Sequence, residues 1–298
     1  MIIHNIKTIF DNFLSEKFRE RIERVAIGIA IVSFLVHLLI IFMVNKNLIS
    51  IDSKLTASPI AAVYTPFSFI LVYEVFLLVF YMPRSISSYI GKQYEIITLI
   101  VIRRIFKDIG NIEMSSNWFQ LESDLQFTYD MATALILFFL IQKFYQKLER
   151  KSGEDNFRTI EGQIRINKFI KLKKSIATVL IPVLILLAFY SFSNWIVAST
   201  QDHWSHIASF KNINNIFFED FFMLLIIIDV ILLLFSLFYF DSFHTIIRNS
   251  GFVISTILIK LSFSVEGLIN NALIVSAVVF GFLILLIHNS YKKNIAPD

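Results

Sequence analysis

The chain has 298 residues, of which 56% are hydrophobic and 17% charged, and its formal net charge is +4. A soluble domain carries about 25% charged residues, so the composition argues against a soluble globular protein. The sequence contains no cysteine, which excludes disulfides, thiolate metal sites and cysteine nucleophiles. Because the apolar runs are long and continuous, we expect an all-α polytopic integral membrane protein and not a β-barrel.

The first half of the chain predicts an interfacial helix followed by four membrane helices. Residues 1–25 are expected to form an amphipathic interfacial helix, with apolar side chains at helical spacing and charges crowded at its end. The alternative is an ordinary helix packed on a cytosolic face of the protein. Residues 26–146 form a four-helix membrane domain. Its spans are predicted at residues 26–44, 67–82, 95–106 and 127–145, of which the third is short and ambiguous by length alone.

The second half predicts a basic linker and a C-terminal membrane region. Residues 147–174 are the linker, residues 175–289 contain the remaining helices, and residues 290–298 are a tail. Long spans are expected at residues 176–198 and 221–240. A hairpin of residues 252–263 and 270–288 follows, and it either crosses twice or re-enters the membrane. The architecture is therefore six long or short crossings plus a C-terminal membrane hairpin.

Loop charges give the predicted orientation. The linker is the most basic loop, whereas Lys211 is the only basic residue of the loop at residues 200–218. Basic loops lie on the cytoplasmic side of a membrane. We therefore expect the linker and both termini to be cytoplasmic, and residues 95–106 must then cross outward. The heavy use of Phe, Ile, Asn and Lys favours an AT-rich bacterial genome, and hence a multi-pass protein of a bacterial inner membrane.

Ionisable residues inside the predicted membrane helices are the first functional candidates. A charge at the centre of a span costs about 3 kcal/mol or more, so such residues are retained for a reason. Glu74 either pairs with an arginine of the next helix or has a functional role. Asp229 either pairs with Lys260 or lines a water-filled path. The charged candidates are Glu74, Arg103, Arg104, Asp229 and Lys260.

Two further sets of residues are candidates for conduction and for ligand binding. Polar and small residues in the hairpin either line a pore or hold helices together; they are Asn270, Asn271, Ser276 and Gly281. Cations of the linker suit an anionic cytosolic ligand, such as a nucleotide or a short nucleic acid. These cations are Arg158, Arg165, Lys168, Lys171, Lys173 and Lys174.

The sequence predicts neither an enzyme nor a bound cofactor. No glycine-rich nucleotide loop is present, and no catalytic set can be assembled from its nucleophiles and bases. His203 and His206 flank Trp204 with the spacing of a metal pair, but Trp and His are common at the ends of membrane spans. We therefore expect no catalytic residues, no cofactor and no metal.

One stretch is similar to a known family. Glu74 lies in the middle of a predicted helix, and SYIGKQYEIITLIVI follows after a short turn. Residues 67–106 thereby resemble the voltage-sensor-like domains of six-transmembrane ion channels. The resemblance implies a four-helix sensor-like scaffold. Thr98 stands where the family has an aspartate, and the fourth helix lacks its repeated arginines, so the implied scaffold does not sense voltage.

These observations lead to one functional expectation and two alternatives. We expect a homo-oligomeric ion channel or pore that is gated from the cytosol, with the hairpin at the centre of the oligomer. A bacterial defence or stress effector is one setting for such a device. The alternatives are a proton-coupled secondary transporter that uses Asp229 or Glu74, and a non-conducting membrane scaffold.

Overall fold

The computed structural model describes residues 14–49, 62–109, 122–149, 160–201, 209–239, 242–265 and 267–295. Within these ranges all regular structure is helical, which confirms the predicted all-α fold. Eight long helices follow one another along the described chain. They are α1 (Glu16–Asn45), α2 (Tyr64–Tyr81), α3 (Ile86–Ile109), α4 (Glu122–Glu149), α5 (Ile160–Gln201), α6 (Ser209–Tyr239), α7 (Phe243–Ser262) and α8 (Gly267–Ile295).

Four stretches within these helices are long and apolar enough to cross a membrane. They are Glu16–Asn45, Asp124–Leu148, Phe221–Tyr239 and Gly267–Lys293. A shorter apolar helix covers Thr65–Tyr81. Each of the five overlaps a span predicted from the sequence, so the helical pattern of a multi-pass protein is present in the fold.

The start of α1 differs from the prediction. Ser15 caps the helix by accepting a hydrogen bond from the Phe18 backbone N–H at 3.2 Å, so the helix begins at Glu16. The end of the predicted interfacial helix and the first predicted span are therefore one continuous helix of 30 residues. The segment before Leu14 lies outside the described residues.

The two segments that looked too short are the second halves of full-length helices. Helix α3 has 24 residues and α7 has 20, so at 1.5 Å per residue they extend about 36 Å and about 30 Å. Either length matches the hydrocarbon thickness of a bilayer. Their first halves escaped the hydropathy pattern because they carry polar residues, including Lys92, Gln93, Arg248 and Asn249.

Helix α5 joins the predicted linker to the predicted fifth span. It has 42 residues, or about 63 Å, which is roughly twice the thickness of the hydrocarbon core. Pro182 lies inside it, where a proline removes one backbone hydrogen bond and favours a kink. The basic residues of the linker are thus on the same helix as the apolar segment that follows.

Helix α7 is central to the packing. It contacts α8 most extensively and also packs on α6 and α3, while α8 packs on α4. Nine of its residues are buried, among them Phe252. The ring of Phe252 lies 5.8 Å from that of Phe144, which lies 5.3 Å from Tyr94. The hairpin of α7 and α8 is therefore part of the core of the single chain.

Contacts between distant segments place several helix ends at one face of the bundle. Lys173 donates a hydrogen bond to Arg84 O in the turn between α2 and α3, and Arg84 forms an ion pair with Glu16 at the start of α1. At the ends of α8 and α4, Asn289 donates to Lys147 O at 3.2 Å. We call this end of the bundle the Lys173 face. The opposite end carries the turn between α7 and α8.

Candidate functional site

A buried ion pair lies between α6 and α7. Lys260 Nζ donates to Asp229 Oδ2, and each side chain is only 2% exposed. Thr256 Oγ1 donates to the same carboxylate oxygen at 3.1 Å, and Tyr89 on α3 donates to Asp229 Oδ1 at 3.2 Å. The carboxylate is therefore held by one ammonium and two hydroxyls from two neighbouring helices.

The geometry of α7 explains how these donors converge. Thr256 and Lys260 are four residues apart, so they lie on one face of the helix. Helical side chains lean toward the N-terminus of their helix, which directs the Lys260 stem back toward Thr256 and Asp229. The surrounding residues of α6, Leu225, Ile228 and Leu232, are buried and apolar. The pair thus lies in a low-dielectric environment, where removing one partner costs about 3–5 kcal/mol.

A cavity of about 20 Å³ has both Asp229 and Lys173 among its lining residues, and about 15 Å³ is enough to hold one water. Its polar lining comes from four helices: Tyr89 from α3, Lys173 from α5, Asp229 and Ser236 from α6, and Asn249 from α7. Asn249 Nδ2 donates to Ser236 Oγ at 2.7 Å. The ion pair therefore adjoins a small cavity whose exposed wall is mainly apolar, with Ile90, Leu232 and Val253 among its lining residues.

Lys173 is the buried member of the predicted ligand-binding set. It is 3% exposed, its Nζ lies 5.2 Å from the centroid of the Phe169 ring, and it donates to Arg84 O. Burial lowers the pKa of Lys173 to about 8. Among the described residues, no carboxylate within 4 Å compensates its charge. The structure thus separates Lys173 from the other cations of the linker.

The remaining linker cations have a different environment. Four of them are solvent-exposed in the isolated chain, and they are Arg165, Lys168, Lys171 and Lys174. Spaced at intervals of three residues, they wind around about half of the circumference of the first half of α5. Arg158 lies outside the described residues, as do His203 and His206. A basic exposed surface therefore exists on α5, and the ligand predicted for it stays a prediction.

A second polar cluster lies toward the opposite end of the bundle. Arg104 on α3 donates to Asn270 Oδ1 at 2.5 Å, to Asn271 Oδ1 at 2.7 Å and to Asp130 Oδ1 at 3.1 Å. Asn271 Nδ2 also donates to Asp130 at 2.7 Å, and Asn270 Nδ2 donates to Ser262 O. The cluster ties α3 and α4 to both helices of the hairpin.

The middle of the hairpin is held by a third set of contacts. The hydroxyls of Tyr94 and Ser255 are 2.7 Å apart, and Ser255 donates to Ala277 O at 2.6 Å. Gly281 packs directly under Tyr94, since an added Cβ would lie 1.8 Å from the Tyr94 hydroxyl. Of the four predicted pore residues, Asn270, Asn271 and Gly281 thus contact helices of the same chain, and Ser276 lies on the exposed side of α8.

The other predicted charges do not join the Asp229 site. Glu74 is buried on α2, and the charge that acts on its carboxyl is that of Arg103. Arg104 is bound in the second cluster. A direct carboxylate–guanidinium contact of Glu74 stays a prediction.

Several site residues were missed by the sequence analysis. Asp130 could have been found, because it is an acid inside a predicted span. No charge within an apolar run marks the other missed residues, which are Tyr89, Thr256, Asn249 and Ser255. A histidine pair at the Lys173 face was also missed: His288 Nδ1 donates to His244 O at 3.1 Å, and the two rings are 5.2 Å apart.

Comparisons with protein families, with curated proteins and with solved structures find no match to this chain. Its function must therefore be argued from the charges, contacts and exposed surface of the chain itself. The resemblance to voltage-sensor-like domains stays a sequence-based proposal for the same reason.

Proposed function

We propose that this chain is a multi-pass integral membrane protein that transports protons through its own helix bundle, with the Asp229–Lys260 pair as the exchange point. The membrane assignment is supported by the exposed surface, which is apolar on most helices. Leu135, Phe139, Leu186 and Phe238 are among its exposed side chains. Water would solvate this surface poorly, whereas lipid chains match it.

The observation that carries the transport proposal is the buried pair beside a water-sized cavity. Ionisable residues at membrane depth are costly and mark proton and ion pathways. In this proposal Lys260 moves away from Asp229 and returns, so that the carboxylate binds either the ammonium or a transported proton. Tyr89 and Thr256 donate hydrogen bonds to the carboxylate, and Tyr89 also lines the cavity.

The proposed proton path runs through a single copy of the chain. The polar groups of the hairpin contact neighbouring helices of the same protomer, so they do not need a second copy to be satisfied. This favours the proton-coupled transporter over an oligomeric pore with the hairpin at its centre. The pore remains the second candidate, because the exposed cations of α5 lie on the helix that continues into a predicted span. A cytosolic anion bound there would act directly on the membrane region.

The setting completes the proposal. The proposed partners are the lipid bilayer and further copies of the same chain in a homo-oligomer. A cytosolic anionic ligand binds the basic surface of α5. All eight helices cross a bacterial inner membrane, with the Lys173 face and both termini toward the cytoplasm. A role as a defence or stress effector would follow if transport were released by that ligand.

Proton flux into liposomes tests the proposal. The purified chain is reconstituted with a pH-sensitive dye inside, and a potassium gradient with valinomycin drives protons inward. We expect acidification faster than in empty liposomes, and a fall to the empty-liposome rate in Asp229→Asn. Glu20→Gln, an exposed carboxylate on α1, is the matched control and should retain the flux. Equal rates for the wild type and empty liposomes, or for the wild type and Asp229→Asn, would refute it.

A further inference from the structure

We propose that Lys168, Lys171 and Lys174 on α5 bind the phosphate groups of anionic lipids in the cytoplasmic leaflet of the membrane. We call these three residues the lysine triplet. Such binding rests on the membrane assignment and the orientation of the proposed function, and it makes a lipid phosphate the anion on the basic surface of α5. Its support comes from the depth of the triplet, from its exposure, and from the charge of the surrounding sequence.

The contacts of neighbouring residues place the triplet at one end of the bundle. The ring of Phe169 lies 5.7 Å from the ring of Tyr239, which is the last residue of α6. Lys173 donates a hydrogen bond to the turn between α2 and α3. Phe238, next to Tyr239, is 79% exposed, and Val179 on α5 is 62% exposed. The triplet therefore lies at the edge of the apolar surface that faces lipid.

This edge corresponds in depth to the headgroup layer of a bilayer. That layer is about 5–7 Å thick on each side of the hydrocarbon core. Helical side chains lean toward the N-terminus of their helix. Because α5 enters the membrane from its basic half, the lysines lean toward the cytoplasm and bring their ammonium groups to the level of the lipid phosphates. Arg165 precedes Lys171 by six residues, or about 9 Å along the helix, and therefore lies beyond the headgroup layer in water.

The triplet is accessible and lies on one side of α5. All three lysines are exposed in the isolated chain, and they follow one another at intervals of three residues. At this spacing the Cβ atoms of successive lysines are about 5–6 Å apart, and the three positions span about 120° of the helix circumference. An ammonium donates up to three hydrogen bonds, so two neighbouring ammonium groups can hold one phosphate between them. The triplet thus has the donors and the reach to bind lipid phosphates.

The sequence around the triplet gives it an excess of positive charge. No acidic residue occurs between residues 162 and 201, so no carboxylate of α5 lies within a turn of the triplet. Helix α1 begins at the same face and differs, because Arg19 pairs with Glu16 at 2.7 Å and with Glu23 at 3.3 Å. An anionic leaflet strengthens the binding of each nearby basic residue about fivefold. The triplet therefore favours anionic over zwitterionic lipids.

A soluble polyanion is the alternative occupant of this surface. It would approach from the water, where it meets Arg165 before the triplet, and the bilayer would restrict its access to Lys171 and Lys174. A lipid phosphate is already present at that depth. The position of the triplet therefore favours a lipid over a nucleotide or a short nucleic acid, and the two kinds of occupant differ in their use of Arg165.

Lipid-dependent thermal unfolding tests the inference. The full-length purified protein in a neutral detergent is titrated with phosphatidylglycerol, and with phosphatidylcholine as the zwitterionic reference. We expect phosphatidylglycerol to give the larger and saturable rise in unfolding temperature, because a ligand that binds only the folded state stabilises it. Lys171→Gln should weaken the apparent phosphatidylglycerol affinity roughly fivefold. Arg165→Gln removes one positive charge from the same helix and should leave that affinity unchanged.

Further variants and soluble anions keep the test decisive. Lys171→Arg keeps the charge and should retain the wild-type affinity. If Lys171→Gln fails to fold, Lys168→Gln replaces it, with the same expected loss. Equal stabilisation by the two lipids, an equal loss in Arg165→Gln and Lys171→Gln, or stabilisation by ATP or a short oligonucleotide in place of phosphatidylglycerol overturns the inference. None of these measurements uses a proton gradient, so lipid binding and proton flux fail separately.

Discussion

At position 281 the bundle has no room for a side chain. Gly281 was a pore candidate because small residues tolerate a water-filled helix face, but its Cα lies against the Tyr94 hydroxyl in the core. Gly28 on α1 has nothing within 4 Å of an added Cβ. The two glycines thus form a matched pair, one enclosed and one open.

Substitution of these two glycines should show whether position 281 is closely packed, as the structure indicates, while position 28 is open. Gly281→Ala should destabilise the protein by about 1–3 kcal/mol, because overpacking forces Tyr94 from its position. Tyr94→Phe in the same chain should restore part of the loss, since the nearest clash is with the hydroxyl. Gly28→Ala should be neutral or slightly stabilising, as alanine favours a helix over glycine. Thermal unfolding in detergent measures all three, and an unchanged Gly281→Ala would contradict the packing.

Single residues also show which parts of the site were predictable. Asp229 and Lys260 stand out because charge is rare in long apolar runs, and pairing was one of the two interpretations open from the sequence. Tyr89 and Thr256 could not be found, since a tyrosine or threonine near a span is ordinary. Lys173 was found for its charge, but its burial depends on the packing of α5 against α6 and α2.

At the scale of elements, predictions from hydropathy located helices but not their ends. The cores of α2, α4, α6 and α8 were found because their apolar runs are continuous. The predicted lengths of α3 and α7 were too short, because their first halves contain polar residues. The polar groups of these halves form hydrogen bonds inside the bundle. Asn249, for example, bonds Ser236 on α6. Such pairing requires knowledge of the neighbours, which the local sequence does not contain.

The full length of α7 predicts that the hairpin crosses the membrane and does not re-enter it. The chain has no cysteine, so single cysteines can be labelled without background. Ser264→Cys, in the exposed turn before α8, should react with a membrane-impermeant maleimide on intact cells. Ser290→Cys, exposed near the end of α8, should react only after permeabilisation. A re-entrant hairpin would instead leave Ser264→Cys protected in intact cells.

On the scale of the whole molecule, the surface of the described helices is apolar where that of a soluble protein is polar, which is the reverse of the usual arrangement. Charged and amide side chains meet inside, in the Asp229 site and in the cluster around Arg104. Large apolar side chains lie outside, including Leu35, Phe42 and Val32 on α1. Helix α1 buries only Ala30 and Ile41, so most of its surface is left for lipid or for a second copy of the chain. The composition alone predicted this reversal.

Orientation is the property of the whole molecule on which the placement of both proposed sites depends. The structure groups the Lys173 face from contacts alone: Glu16 with Arg84, Arg84 with Lys173, and Lys147 with Asn289. Loop charge independently assigns the linker between α4 and α5 to the cytoplasm, since basic loops resist translocation. Both arguments place the same helix ends on one side, and together they predict which side of the membrane Lys173 faces.

Reporter fusions check this orientation directly. A fluorescent protein fused after Lys151, within the basic linker, should fold and fluoresce in the cytoplasm. Alkaline phosphatase fused after Asn212, beyond the predicted outward crossing of α5, should be active because it lies outside. The exchanged fusions are the controls, and each should be inactive. An active phosphatase at Lys151 would invert the whole arrangement. Lys173 would then lie on the outer side of the membrane. An anion bound to the exposed cations of α5 could not come from the cytosol.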